Sequence, residues 1–346
     1  MRLSILSLSG ALLLASSSFA GLKEGEQPVE TLPLEQSAEC SISGDFMMQC
    51  ADFNSLTDMI KTQILRLLPA QGRLETSVAG LTLTRYDDAT SPERCLCSPM
   101  LAFVAQGFKR SFYGDRETNY GKGQCVVLGI DVPGIFQIDG ATREVPFLSL
   151  SVRLDNQIIS HLFAEMPTLS EANPASSSPI GVMDANPELL DAFRRLLNLL
   201  ESPERIPFFA PMIMREIHFF ILSGSLGAQL RLFSTSGTRA YQIRRAISWL
   251  RANYKASLRI ENLADMAHMA PSTFNRCFRR VTGLSPLQFQ KRLRLHEAER
   301  LMLVENHDAM SAALAVGYES GSQFTREYKR LFGAPPRQDM ERRRAG

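Results

Sequence analysis

Apolar spacing divides this chain into three stretches of different character. From Phe53 to Leu68, Leu56, Met59, Ile60, Ile64, Leu65, Leu67 and Leu68 recur at the interval of a helix with one buried face. Pro69 and Gly72 end that pattern. Residues 74–165 change register: short apolar runs at 81–84, 100–104, 125–130 and 147–152 are separated by Gly, Pro, Asp and Asn, which predicts short strands with turns in a small β-sandwich or barrel. Residues 167–187 are rich in Pro, Ser and Asn and predict a loop. Pro187 then opens a helix with Leu189, Leu190, Phe193, Leu196, Leu197 and Leu200 on one face, and a second helical run covers 211–222. Residues 233–238 read as a linker. Beyond it the helical period continues over 240–253, 260–268, 271–281, 286–303, 309–316 and 322–332, followed by an Arg-rich tail after Pro335-Pro336.

Within that last stretch one short pattern occurs twice, about fifty residues apart. Leu263-Ala264, His268, Arg276-Cys277-Phe278-Arg279-Arg280 and Gly283 form the first copy; Ala313, Gly317-Tyr318, Arg326-Glu327-Tyr328-Lys329-Arg330 and Gly333 form the second. Each reads as two short helices about a tight turn, with Ala264 and Ala267 small enough to let the helices approach. Two such units joined by one long helix suit the reading of DNA. On the outward face of the first second-helix lie Ser272, Thr273, Asn275 and Arg276; the other copy presents Ser322, Gln323, Thr325 and Arg326, with Glu319 and Ser320 leading in. Arg pairs bidentately with guanine and Asn with adenine, while hydroxyls are less selective. Arg279, Arg280, Lys329 and Arg330 continue the helices as phosphate contacts, which add affinity and salt dependence. The turn falls on His268 in the first copy and on Gly317 in the second, and only glycine takes a left-handed turn without cost.

Charge supports this reading. The chain carries +2 overall, but from Arg239 onward there are 20 Lys and Arg against 10 Asp and Glu, while the upstream part has 18 against 26. Only the C-terminal part is suited to a polyanion. The six cysteines, Cys40, Cys50, Cys95, Cys97, Cys125 and Cys277, are too scattered for a disulfide scaffold, and no Cys-x-x-Cys pair or His-rich cluster predicts a metal. His161 stands alone in the β-rich stretch, and neither a phosphate loop nor a nucleophile elbow is present, so a binding pocket without catalysis or cofactor is expected. Cys95 and Cys97 flank Leu96 beside Arg94, on one face if the segment is a strand. They are either small core residues or a site for an oxidant or electrophile.

The N-terminus conflicts with the rest. Arg2, the apolar residues 3–14 and Ser18-Phe19-Ala20 read as a secretory signal over residues 1–20. Export would part a DNA-binding domain from DNA, so the functional start is expected at Met47 or Met48, or the segment is an uncleaved extension. No other stretch reads as long and apolar enough to span a membrane.

The stretch Asn262-Leu-Ala-Asp, continuing through Phe274-Asn-Arg-Cys-Phe-Arg-Arg-Val-Thr-Gly-Leu-Ser-Pro-Leu-Gln-Phe289, resembles the AraC/XylS-type DNA-binding domain. So does Ala313-Leu-Ala-Val-Gly-Tyr-Glu-Ser, continuing through Phe324-Thr-Arg-Glu-Tyr-Lys-Arg-Leu-Phe-Gly-Ala-Pro-Pro336. Upstream, Ser98-Pro-Met-Leu-Ala-Phe-Val-Ala-Gln-Gly-Phe-Lys-Arg110 and Asp131-Val-Pro133 resemble the N-terminal region of one AraC subgroup. Ala270 departs from the usual Ser helix cap, and Cys277 stands where another apolar or aromatic residue is more usual. The resemblance implies an α+β protein: a cupin-like β-barrel with flanking helices over 50–232, which senses a small molecule and forms a homodimer, then an all-α domain over 240–340 with two helix–turn–helix motifs. It implies a cytoplasmic transcription regulator, with promoter or operator DNA and RNA polymerase as partners and activators among its relatives. The alternative is an exported or envelope-associated small-molecule-binding protein, favoured by residues 1–20 and opposed by the basic domain.

Overall fold

The computed structural model describes residues 44–113, 116–166 and 178–345. The signal-like segment and residues 167–177 of the expected loop lie outside the described residues; the rest of that expected loop is not one, because Ile180–Asp184 forms a strand whose backbone pairs antiparallel with Gln124–Leu128. Gly44–Gly346 forms one compact unit.

Ten strands follow helix α1 (Gly44–Leu67): β1 (Gly72–Glu75), β2 (Leu81–Tyr86), β3 (Glu93–Cys97), β4 (Met100–Gln106), β5 (Phe108–Tyr113), β6 (Arg116–Gly121), β7 (Gln124–Leu128), β8 (Val132–Asp139), β9 (Phe147–Arg153) and β10 (Ile180–Asp184). They make a six-stranded sheet ordered β1-β2-β9-β4-β7-β10 and a four-stranded sheet ordered β3-β8-β5-β6. The hydrogen-bond ladder does not close, so the expected barrel is a two-sheet sandwich. Paired strands in both sheets run antiparallel. The central strands of the large sheet are buried on both faces. Along β4, Leu101, Phe103 and Ala105 join the core shared with α1 and the later helices, while Ala102 and Val104 point into the second core with Val126, Leu128 and Phe147. Burial on both faces makes these strands near-continuous apolar runs.

Helices α2 (Asn156–Glu165), α3 (Pro187–Asn198), α4 (Ile206–Ser223) and α5 (Gly227–Ser234) cover the outer face. Asp155 caps α2 and Asn186 caps α3 through their side-chain oxygens. His161 lies on α2, exposed, and not on a strand. His218, on α4, is 0% exposed; its Nε2 accepts from the Asp155 amide at 2.9 Å and its Nδ1 donates to the Met214 carbonyl at 2.6 Å. Burial holds its pKa below the ordinary imidazole value. Contrary to the reading of the sequence, the stretch Pro203–Ser223 is long and apolar enough by composition to cross a membrane. Here Ala210, Ile213, Ile217 and Ile221 pack on the sandwich, Arg215 and Glu216 form ion pairs with Glu165 and Arg195, and Phe208, Phe209, Met212 and Phe219 stay exposed.

The basic part comprises α6 (Arg239–Ala252), α7 (Ile260–Met266), α8 (Pro271–Thr282), α9 (Pro286–Val304), α10 (Ala309–Ala315), α11 (Gly321–Phe332) and α12 (Pro336–Ala345). The stretch read as a linker is largely built into the fold: α5 runs to Ser234, and Phe233 is 1% exposed in a core continuous from the sandwich to Ile243, Ile247 and Phe278. The Arg-rich tail is helical. Asp339, fully buried, accepts from Tyr328 Oη at 2.9 Å and pairs with Arg342 and Arg343 at 2.6 and 3.1 Å, which docks α12 on α11.

Candidate nucleic-acid interface

Helices α7–α8 and α10–α11 form two helix–turn–helix units. In the first, Leu263, Ala264, Ala267, Phe274 and Phe278 are buried; in the second, Ala312, Ala313, Val316, Phe324 and Tyr328 are. The turns differ as the residues demand. His268 adopts φ 53°, a left-handed value that costs a side chain energy, while Gly317 takes φ 89°. Ala270 leaves α8 without a side-chain cap, whereas Ser320 caps α11 by accepting from the Gln323 amide at 3.3 Å. Both helices end on left-handed glycines, Gly283 and Gly333, at equivalent positions.

The connecting helix α9 starts with a reciprocal cap between Ser285 and Gln288. Its Arg294 is a clamp absent from the sequence reading. The guanidinium donates to the carbonyls of Tyr254 at 2.7 Å, Lys255 and Ala256 at 3.0 Å, and Gly317 at 2.8 Å. It thereby ties the loop after α6 to the turn of the second unit. Gln290 reinforces it, donating to Tyr254 and Ala256 carbonyls at 3.0 and 2.7 Å. The periodicity of α9 gives no hint of this role, because a half-buried Arg on a basic helix looks like a solvated one.

The outward residues named from the sequence lie on α8 and α11 or at their starts, but they are not equally free. Ser272, Thr273, Arg276, Arg279 and Arg280 make no side-chain hydrogen bond or ion pair among the described residues, nor do Arg326, Lys329 and Arg330; Asn275 donates back to the Pro271 carbonyl at 3.1 Å. On α11 the polar residues are knitted together. Ser320 and Ser322 hydroxyls lie 2.9 Å apart, Thr325 donates to the Gly321 carbonyl, and Gln323 donates to Glu327 at 3.2 Å. Glu327 also accepts from Lys291 at 2.6 Å and Tyr318 at 2.8 Å. Burial pushes the Glu327 pKa up, but these hydrogen bonds outweigh it and hold the carboxyl below its ordinary value.

The sandwich meets the first unit directly. A cleft of about 390 Å³ has Tyr113, Arg116, Val132 and Ile180 on one wall and Arg276, Arg279 and Arg280 on the other. Nearby, Arg251 of α6 forms an ion pair with Asp131, between β7 and β8, and reaches Ser98 Oγ at 3.3 Å. Cys95 and Cys97 lie on β3 with their Sγ atoms 2.9 Å apart, and both are free thiols. No group of three or more His, Cys, Asp and Glu among the described residues has metal-holding geometry.

The family model described as the AraC-type transcriptional regulator N-terminus matches residues 77–229, and a helix-turn-helix domain model matches residues 263–342. The chain belongs to the AraC-type transcriptional regulators. It is similar to the uncharacterised regulator YobQ of Bacillus subtilis, 32% identical over 92 residues, which is 27% of this chain and 38% of that protein. It is 24% identical to the virulence regulon transcriptional activator VirF of Yersinia enterocolitica over 59% of this chain and 76% of VirF. In fold it is similar to an apo form of ToxT from Vibrio cholerae, with a TM-score of 0.55, 10% identity, and coverage of 77% of this chain and 98% of that one. The AraC-type proteins are transcriptional regulators and not enzymes. This member combines an N-terminal ligand-binding domain with a C-terminal helix–turn–helix domain that binds DNA. Tyr113 and Arg116, which line the cleft opposite Arg276 of α8, were missed in the sequence. They sit on β5 and β6, strands of the small sheet whose half-buried pattern carries no long apolar run.

Proposed function

We propose that α8 and α11 are the two recognition helices of this AraC-type regulator and enter successive major-groove segments about 34 Å apart on one side of promoter DNA. The carrying observation is the pair of helices with buried aromatic faces and outward cations that make no ion pair among the described residues, held on one support by the Arg294 clamp. Arg276 and Arg326 read bases; Arg279, Arg280, Lys329 and Arg330 contact phosphates. Ser272, Thr273, Asn275, Ser322, Gln323 and Thr325 add shorter-range contacts, and Ser320 acts chiefly as a cap.

Control comes through the cleft. Arg276 belongs both to the reading face and to the cleft wall, so whatever fills or widens the cleft sets how freely α8 enters DNA. Its guanidinium-rich, partly apolar lining favours a small effector with an anionic end. The protein works in the cytoplasm with RNA polymerase as partner, and it pairs with a second copy through the exposed apolar face of α4.

The test is a pair of substitutions read on DNA enriched by this protein from a randomised pool. Arg326→Ala should lose about 1–3 kcal/mol at one base pair and relax preference there. Lys329→Ala should weaken all sequences alike and reduce the salt dependence by about one ion. An unchanged base preference in the first variant refutes the assignment of α11.

A further inference from the structure

Two thiols in the sandwich have no part in DNA reading and are placed for chemistry of their own. Among the described residues β3 is an edge strand that pairs with β8, in the register Cys95 to Gly134 and Cys97 to Val132. Alternation along the strand turns both cysteines to one face, and their sulfurs stand 2.9 Å apart. Both are half-buried, whereas Cys125 and Cys277, the other cysteines whose side chains are described, are buried. The hydrogen bond from Cys95 holds the Cys97 thiol below its ordinary pKa, helped by Lys109 and a hydrogen bond with Tyr113 and opposed by burial; the same bond raises Cys95. Cys97 is thus the nucleophile and Cys95 the proton-bearing neighbour.

The geometry points to Cys95 and Cys97 as a dithiol that a hydroperoxide converts to a disulfide, with the change transmitted to the first recognition helix. The Cys97 thiolate attacks the peroxide oxygen; the O–O bond breaks, the alcohol or water leaves with a proton, and Cys97 becomes a sulfenic acid. The Cys95 sulfur then displaces hydroxide from it, forming the S–S bond and releasing water. In sum, two thiols and one hydroperoxide give a disulfide, an alcohol or water, and a further water. Access and readout coincide. Val132, opposite Cys97 in the ladder, and Tyr113, its hydrogen-bond partner, line the cleft whose far wall is Arg276, Arg279 and Arg280. Two strand residues span about 6.6 Å, near the upper limit of about 6.8 Å for the Cα atoms of a disulfide. Closing the bond therefore draws in the pleat of β3 next to Ser98, which Arg251 of α6 contacts.

The test uses the full chain carrying Cys40→Ser and Cys50→Ser, with hydrogen peroxide as probe. One equivalent should consume two thiols and remove two hydrogens from the tryptic peptide that begins at Cys95. Cys95→Ser should stop at a dimedone-trapped sulfenic acid on Cys97, and Cys97→Ser should leave Cys95 reduced. Oxidation should change the dissociation constant for the pool-enriched DNA at least threefold, reversibly with dithiothreitol. That shift should persist in Cys125→Ser and vanish in both β3 variants, whose circular dichroism should match the parent. Equal peroxide rates at Cys97 and Cys125 overturn the dithiol. A disulfide that forms without changing DNA affinity overturns its link to α8, while DNA binding by the reduced protein keeps the regulatory assignment separate from either failure.

Discussion

Replacing Gly317 with Ala tests the support that holds α11. Two costs can be worked from the structure. At φ 89° an L side chain occupies the left-handed region, at about 1–2 kcal/mol. An added Cβ would also lie 2.5 Å from the Lys255 carbonyl oxygen, which is backbone and cannot swing aside. Relieving that clash means moving either the turn or the loop after α6, and Arg294 holds both, at 2.8 Å to Gly317 and 3.0 Å to Lys255. Losing one hydrogen bond to that charged group adds about 1.5–3 kcal/mol. The expected destabilisation is about 2.5–5 kcal/mol. Urea unfolding of the full chain, followed by the fluorescence of its single tryptophan, Trp249 on α6, measures it. The matched control is His268→Gly, which relieves the left-handed strain in the first unit and should fall within about 1 kcal/mol of the parent, on the stabilising side. A Gly317→Ala loss under about 1 kcal/mol refutes the argument, because the clamp would then yield freely. Arg294→Met should cost less when combined with Gly317→Ala than in the parent, since both changes break the same contact.

Further outcomes follow from other contacts. Ala270→Ser should supply the missing cap of α8 and stabilise the chain by about 1 kcal/mol; hydrogen exchange, slower in 322–332 than in 271–281 in the parent, should then become more nearly equal. His218 has a native pKa below its unfolded one, so the unfolded chain binds the extra proton first and stability falls as pH drops through about 6.5. His218→Gln should show a flatter stability profile between about pH 7.5 and about pH 5.5, and an equally steep one would exclude His218 as its source. Phe208→Asp on the exposed face of α4 should turn a dimer into a monomer in sedimentation velocity with no loss of thermal stability.

Which parts of the architecture were legible depends on burial. The runs at 81–84, 100–104, 125–130 and 147–152 mark β2, β4, β7 and β9, the strands buried on both faces. The small sheet was invisible as runs: in β5, Lys109 and Arg110 interrupt Phe108, Phe112 and Tyr113, because one face meets water or a polar interior. α2 escaped because its ten residues carry too short a stripe. The Arg-rich tail reads as solvated because the feature that makes it a helix, a buried Asp339 meeting Tyr328, pairs residues from different elements.

The repeated pattern, its inward aromatics, its turns at His268 and Gly317, and the basic outer faces are local, and local periodicity and backbone preference determine them. That is why the two helix–turn–helix units and their cations are written in the chain itself. What each cation meets is a different matter. The Arg294 clamp, the Glu327 network on α11, the cleft that sets Tyr113 and Arg116 against Arg276, and the approach of Cys95 to Cys97 depend on packing and chain path. Long-range contacts of that kind are decided by which faces must be buried together, and only the folded structure brings them into register.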